Sequence, residues 1–374
     1  MTKVLRQTAW VLLPIVAALL VITLMLILLQ AFTDLEAGPA EVLEAFWKSL
    51  SSQSTLSTRK IANVVEFWIP LVLVSMGLVV TFRAGLWNIG IEGQMVMGGL
   101  FASGVAFAQP SDNPLILIPL CLIAAMVGGA FWALVAGILK TSFGVNEIFG
   151  GVALNALANQ ITLQLIAGAW KPGASDKAQY SRDIPEAAML PPIARDFDVS
   201  LLALLIAIAA VVLVVLALNG TRWGLNLKAT GRNGRSALLL GVPVTASALG
   251  AMAICGALAG IGGAHRIIFT EGLVTGQFSG GIGFIGLLVV LLVGMRGGWV
   301  PLVALLFTII LNAGTQLQFI QLDSSLTGVL QGVLVLVVML STGIRDRLQQ
   351  NMRKPKETQP AASTAASPLI EGAD

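Results

Sequence analysis

The chain has 374 residues, of which 56% are hydrophobic and 11% charged, with a mean hydropathy of +0.88. A soluble domain carries about 25% charged residues, so the composition excludes a soluble enzyme or binding module and points to an integral membrane protein of all-α class. The net charge is only +3 and the basic residues are dispersed, which argues against nucleic acid as a partner.

A membrane-spanning helix needs about 20 mostly apolar residues. Ten candidate spans follow in chain order, at about 9–31, 64–82, 90–109, 114–139, 148–168, 200–218, 244–268, 281–295, 299–317 and 325–344. The first is longer than the ~7–15-residue apolar core of a signal peptide, and no A-x-A pattern follows it, so it reads as a retained helix. Lys3 and Arg6 before it place the N-terminus in the cytoplasm. Alternating the ten spans from there puts fourteen Lys and Arg residues on the inner side and eight on the outer, and returns the C-terminus to the cytoplasm. The outer loop at 32–63 contains PAEVLEAFWKSL (39–50), where Leu43, Phe46, Trp47 and Leu50 recur at the spacing of an amphipathic surface helix.

Between the second and third spans lies FRAGLWNIGIEGQMVMGG (82–99), which sets Arg83, Asn88, Glu92 and Gln94 among glycines and hydrophobes. Charged groups at membrane depth cost several kcal/mol unless they face protein or water, so this stretch marks a candidate site. Cys121 in the fourth span and Cys255 in the seventh read as small buried hydrophobes. In the fifth span Asn155 and Asn159 are four residues apart, as are Gln160 and Gln164, which predicts a polar stripe on one helix face. Asn312 and Gln316 in the ninth span, and Thr327 and Gln331 in the tenth, repeat the interval. Such amides either tie helices together or line a path for a neutral polar solute; taken as a set they favour the path.

The outer loop at 169–199 holds Pro172, Pro185, Pro191 and Pro192 and reads as ordered. The inner loop TRWGLNLKATGRNGRSALLLGVPV (221–244) has four basic residues and no acidic one. Its SALLLGV segment predicts a short helix with an apolar face of Ala237, Leu238 and Leu240, and an apolar patch on an aqueous face points to a docking partner. Gly256 and Gly260 allow close helix packing, and Gly280, Gly281, Gly283 and Gly286 make the start of the eighth span prone to a break. The tail at 355–374, rich in Pro, Ala, Ser and Thr, reads as disordered, which leaves 1–354 as one transmembrane domain. There is no G-x-x-x-x-G-K-[ST] loop, no G-x-S-x-G or H-E-x-x-H motif, and a single histidine, His265. No catalytic residue, cofactor or metal site is therefore expected.

In order along the chain, AGLWNIGIEGQMVMGG (84–99), GVNEIFGGVALN (144–155), GRNGRSALLLGVPV (231–244), CGALAGIGGA (255–264) and GGIGFIGLLVVLLV (280–293) resemble the permease subunits of bacterial ABC importers for simple sugars, nucleosides and branched-chain amino acids. The nucleoside-type branch, and the longer of its two paired permeases, is the nearest in pattern. Trp87 stands where that branch has Phe, Ile285 where it often has Asp, and His265-Arg266 where an apolar or acidic residue is common. The resemblance implies the ABC importer transmembrane fold in a bacterial cytoplasmic membrane. It also implies two ATP-binding cassette subunits that bind the ATP, a second permease and an extracytoplasmic solute-binding protein or lipoprotein.

On that reading 219–243 is the coupling loop, with Gly231, Arg232, Asn233, Ala237 and Gly241 shaping it and Leu238 and Leu240 filling a groove on an ATPase. Asn88, Glu92, Gln94, Asn155, Asn159, Phe284, Asn312 and Gln316 become the candidate pathway residues, with a purely structural tie as the alternative for Glu92. Arg83 is expected to reach the inner surface. The cargo is expected to be a nucleoside, with a ribose-like sugar as the alternative. An ion-coupled transporter working alone would need buried carboxylates, for which only Glu92 and Glu147 are candidates.

Overall fold

The computed structural model describes residues 55–173, 179–194, 197 and 199–318, together with Leu336 and Leu340. Within these residues the chain is helical throughout. α1 (Thr55–Arg83) and α2 (Ile91–Ala108) flank the polar stretch, and α3 (Pro114–Phe143) and α4 (Glu147–Ala167) follow. After the connecting segment that follows α4 come α5 (Leu201–Gly220), two short helices α6 (Arg222–Arg232) and α7 (Gly234–Leu239), and α8 (Val244–His265). A π-helical turn, Arg266–Glu271, continues α8, and α9 (Ile282–Val293) and α10 (Val300–Gln318) complete the described chain.

The boundaries have local causes. Asn113 accepts from the Leu115 N–H at 3.0 Å and Pro114 occupies the first turn, so α3 starts there. Asn146 caps α4 through the Ile148 N–H at 2.9 Å, and Thr221 caps α6 through the Gly224 N–H at 3.1 Å. Among the described residues five helices are long and apolar enough to cross a membrane, namely Ile61–Arg83, Ile91–Ala108, Pro114–Phe143, Leu201–Gly220 and Val244–Glu271; the bent pair α9–α10 would make a sixth. The expected span at 148–168 is present as α4, whose amides keep it outside that apolar set. The expected spans at 9–31 and, apart from Leu336 and Leu340, 325–344 lie outside the described residues, as do the surface helix at 39–50 and the tail at 355–374.

The eighth expected span, 281–295, is shorter than the sequence reading. α9 has twelve residues, about 18 Å at 1.5 Å per residue, against roughly 30 Å of hydrocarbon. Left-handed backbone stops it at both ends: Gly280 and Gly281 have φ of 59° and 73°, and Gly294 and Met295 have φ of 59° and 63°. The chain then bends by 117° into Gly297–Ile309.

α8 is the central helix. A Cβ on Gly98 of α2 would overlap the Gly260 backbone, one on Gly129 of α3 would overlap the Gly256 carbonyl, and one on Gly263 would overlap the Met95 carbonyl. Three backbones therefore meet without side chains between them, the close packing that small residues allow in lipid. On the other side of α8, Gly77 of α1 lies against Cys255 and Gly262 lies against Pro70, so α1 and α8 run antiparallel. Cys121 and Cys255 are both free and buried, as expected. α5, with a mean hydropathy of 3.4 over its apolar window, buries only Ala203, Ala207, Ala210, Val214 and Leu218. It turns Leu205, Leu213 and Leu216 outward, the pattern of a lipid-facing helix.

Candidate functional site

The stretch between α1 and α2 is held by its own polar residues. Asn88 and Gln94 form a reciprocal amide pair: Asn88 Nδ2 donates to Gln94 Oε1 at 2.9 Å, and Gln94 Nε2 donates back to Asn88 Oδ1 at 2.8 Å. Asn88 Nδ2 also reaches Cys255 Sγ at 3.1 Å. From α4, Asn155 accepts from the Gly93 N–H at 2.7 Å and donates to the Ile89 carbonyl at 3.0 Å. Backbone groups freed by the break between helices are thus paired by side chains, as membrane burial demands. Asn88, Glu92, Gln94 and Asn155 are all buried. Gly151 fits directly beside Gly90, which brings α4 close enough for Asn155 to act.

Glu92 extends this cluster to α9. Its carboxylate accepts from the Gly283 N–H at 2.7 Å and the Gly281 N–H at 3.2 Å, and the Ser279 hydroxyl and the Phe284 amide lie beside it. Burying a carboxylate costs several kcal/mol. Hydrogen bonds to a charged group return about 1.5–3 kcal/mol each, and a helix N-terminus returns up to about 2 kcal/mol more, which offsets part of that cost. Arg83, nine residues earlier, donates through Nε and Nη2 to the Met295 carbonyl at 3.3 and 3.1 Å, just past the other end of α9. The two charges of the 82–94 stretch therefore hold the two ends of one short helix, each with the sign that the helix dipole favours. Arg83 is a C-terminal clamp on α9 as well as a residue at the edge of the bundle.

Phe284 lies in the first turn of α9 with its ring half-exposed (45%). α4 separates the expected stripe into two environments: Asn155 is buried against the 89–93 backbone, whereas Asn159, Gln160 and Gln164 are exposed. The cause is narrow packing, since α4 buries only Gly151, Leu154, Asn155, Ala158, Thr162 and Ile166. Asn312 on α10 is partly buried and partnered, and the side chain of Gln316 lies outside the described residues, as do Thr327 and Gln331. The sequence reading passed over Gln277, which is exposed in the loop before α9. Gly276 next to it packs on Leu163 of α4, which sets that loop against the outward face of α4.

His265 and Arg266 are both buried. Arg266 donates through Nε to the Phe278 carbonyl at 3.1 Å, pairs with Glu271 at 2.6 Å and sits 4.7 Å from the Phe67 ring centroid. Beside this π-turn the segment between α4 and α5 is zipped on by Ser181 N–H to Val274 O at 2.9 Å, Ile184 N–H to Gly272 O at 2.8 Å and Leu190 N–H to Ile268 O at 3.1 Å. Glu147 at the start of α4 pairs with Lys140. Among the described residues no group of three or more His, Cys, Asp or Glu side chains could hold a metal ion.

At the end of the bundle marked by Arg83, α6 and α7 form a short helical pair. Asn233 ends α6 and caps α7 through the Ser236 N–H at 3.0 Å. Gly231 abuts the backbone at Arg83–Gly85, and Gly241 has φ 78°, a left-handed conformation that favours glycine. Arg232 is exposed. The apolar face differs from the expected one: Ala237 is buried beneath α7, while Leu238, Leu239 and Leu240 are 64%, 88% and 82% exposed. Leu239, part of the leucine run but left out of the expected apolar face, is the most exposed of the three.

Compared with known proteins, residues 60–339 match the family model described as branched-chain amino acid transport system / permease component. The chain is 30% identical over 306 residues to the glucose ABC transporter permease protein TsgB13 of Haloferax volcanii, covering 79% of each chain. It is 34% identical over 245 residues to the guanosine ABC transporter permease protein NupP of Bacillus subtilis, covering 63% of this chain and 68% of that one. It is 28% identical over 261 residues to the nucleoside ABC transporter permease protein NupB of Lactococcus lactis, covering 68% and 72%.

Proposed function

We propose a cargo and a mode of assembly on one premise: this chain belongs to the branched-chain amino acid transport system permease family. It is a multi-pass membrane permease subunit of an ABC transporter and not an enzyme, and ATP hydrolysis belongs to a separate subunit. ATPase and solute-binding partners come with the family.

The finer reading is an importer of nucleosides in a bacterial cytoplasmic membrane. The guanosine and nucleoside permeases among its relatives support that cargo. The glucose permease that matches more of its length makes a simple sugar the second reading. The observation that carries the assembly is the leucine triplet of α7. Leu238, Leu239 and Leu240 are exposed at the end of the bundle, where water would otherwise meet three large apolar side chains. One of two ATP-binding cassette subunits covers them, with Asn233 and Gly241 fixing the backbone that presents them. Asn159, Gln160 and Gln164 on the outward face of α4 are costly against lipid, so a second permease, across the pathway, faces them. Asn88, Glu92, Gln94 and Asn155 shape the wall from behind. Asn312 and Gln316 extend it along α10, and Phe284 stands at its surface. An ion-coupled secondary transporter working alone is disfavoured because Glu92 and Glu147, its two candidate carboxylates, already serve α9 and Lys140.

The test is uptake by proteoliposomes that hold this chain with its ATPase, second permease and binding protein. Labelled guanosine should accumulate only with ATP, and excess glucose should not compete. Glucose uptake with no guanosine uptake would replace the cargo, and accumulation without ATP would end the importer reading.

A further inference from the structure

We infer that Phe284 is the group that contacts the planar base of the solute, and that Glu92 is the positioning residue that holds it there. The inference deepens the nucleoside reading and rests on it. Among the pathway candidates with described side chains, Phe284 is the aromatic one, and its ring is half-exposed on a helix whose other first-turn residues, Ile282, Gly283 and Ile285, are buried. Lipid would accept an exposed phenyl ring, but exposed polar groups precede it on the same segment. Gly280 and Gln277 just before it are exposed, and the loop that carries them packs through Gly276 on α4, beside the exposed Gln160 and Gln164. An exposed ring on a segment that also presents uncharged amides matches a nucleoside, which offers a flat π-face to the ring and base-edge and sugar groups to the amides. A charged solute would call for a counter-charge here, and the carboxylate nearest the ring, Glu92, is buried and occupied by backbone N–H groups.

The Glu92 bonds fall on the residues around the ring. The carboxylate takes the amides of Gly281 and Gly283, with the Phe284 amide beside it. Gly280 and Gly281 are both left-handed, so without the carboxylate the first turn of α9 would hinge on two glycines. A Cβ at Gly283 would overlap Glu92 itself, so the contact is already as close as backbone allows. Glu92 does not reach the solute; it fixes the angle at which Phe284 is offered.

The experiment is transport kinetics in the same proteoliposomes, with guanosine and with free ribose, which has no base. Aromatic–base stacking predicts that Phe284→Ala raises the guanosine KM by roughly five- to fifty-fold, more than it lowers the maximal rate, and that Phe284→Trp restores it. Glu92→Gln, which keeps the size and one acceptor, should raise the guanosine KM about threefold in the wild-type background. It should add nothing once Phe284 is alanine, whereas a merely structural Glu92 would lower uptake equally in both backgrounds. An unchanged guanosine KM in Phe284→Ala, or an equal Glu92→Gln effect with and without the ring, overturns the inference. If the wild-type transporter carries ribose and not guanosine, the base contact falls with the cargo while the permease assignment stands.

Discussion

The interior around residues 82–94 and the end of the bundle around α7 treat their misplaced side chains in opposite ways. In the interior the exceptions are polar: Asn88, Glu92, Gln94 and Asn155 are buried, and each finds its partner within the chain. At α7 the exceptions are apolar: Leu238, Leu239 and Leu240 stand exposed, with no cover among the described residues. A buried polar group must be satisfied at once, because leaving it unpaired costs about 1–3 kcal/mol. An exposed leucine can wait for a partner at a cost that grows only with its area. The contrast separates groups that build this subunit from groups that join it to another.

The largest effect should come from breaking the exposed side. Replacing Leu238 and Leu240 with aspartate puts two charges on the surface proposed to dock an ATPase. We expect solute-stimulated ATPase activity of the assembled transporter to vanish, while the chain still inserts and purifies with an unchanged unfolding temperature. Unchanged stimulation would mean that the leucines serve neither side of the comparison.

A sharper test compares two residues of one helix. Asn155→Leu leaves the Gly93 N–H and the Ile89 carbonyl without partners, which at about 1–3 kcal/mol per buried group should lower the thermal stability of the purified chain by several degrees. Asn159→Leu, on the exposed face, should leave stability unchanged and reduce uptake per inserted molecule. If both act on stability alone, the outward face of α4 is not part of a wall, and its amides are ordinary ties.

That pair also shows how far the sequence reading reaches. Residues four apart share a helix face to within about 40°, and the sequence places Asn155 and Asn159 together on that ground. α4 packs on so narrow a strip that 40° divides buried from exposed, and the position of a neighbouring helix is not written in the helix's own periodicity. The extents of α2, α3, α5 and α8 were legible to within a few residues because their apolar runs are long, and Asn113 and Pro114 mark the start of α3. A short helix at the SALLLGV segment was legible too, whereas α6 and its break from α7 at Asn233 were not. The length of α9 was not, because it depends on left-handed backbone at Met295 as well as at glycines, and a methionine gives no signal for that. Glu92 could be singled out by its cost in a membrane, but its bond to Gly283 joins residues 191 positions apart, a distance that no local pattern spans.

The smallest effect should come from the clamp at the far end of α9. Arg83→Ala removes two hydrogen bonds to the Met295 carbonyl. The guanidinium is only partly buried, so water can replace much of what is lost, and the change should cost at most about 1 kcal/mol. Met295 itself sits at φ 63°, a conformation that costs a side-chain-bearing residue about 1–2 kcal/mol. Arg83 helps to hold that strained turn, and Met295→Gly relieves it. The double variant Arg83→Ala/Met295→Gly should therefore unfold at or slightly above the wild-type temperature, although Arg83→Ala alone unfolds below it. If glycine fails to rescue the alanine variant, Arg83 acts at the membrane surface and not on α9, and the pairing of opposite charges with opposite ends of one helix loses half its support.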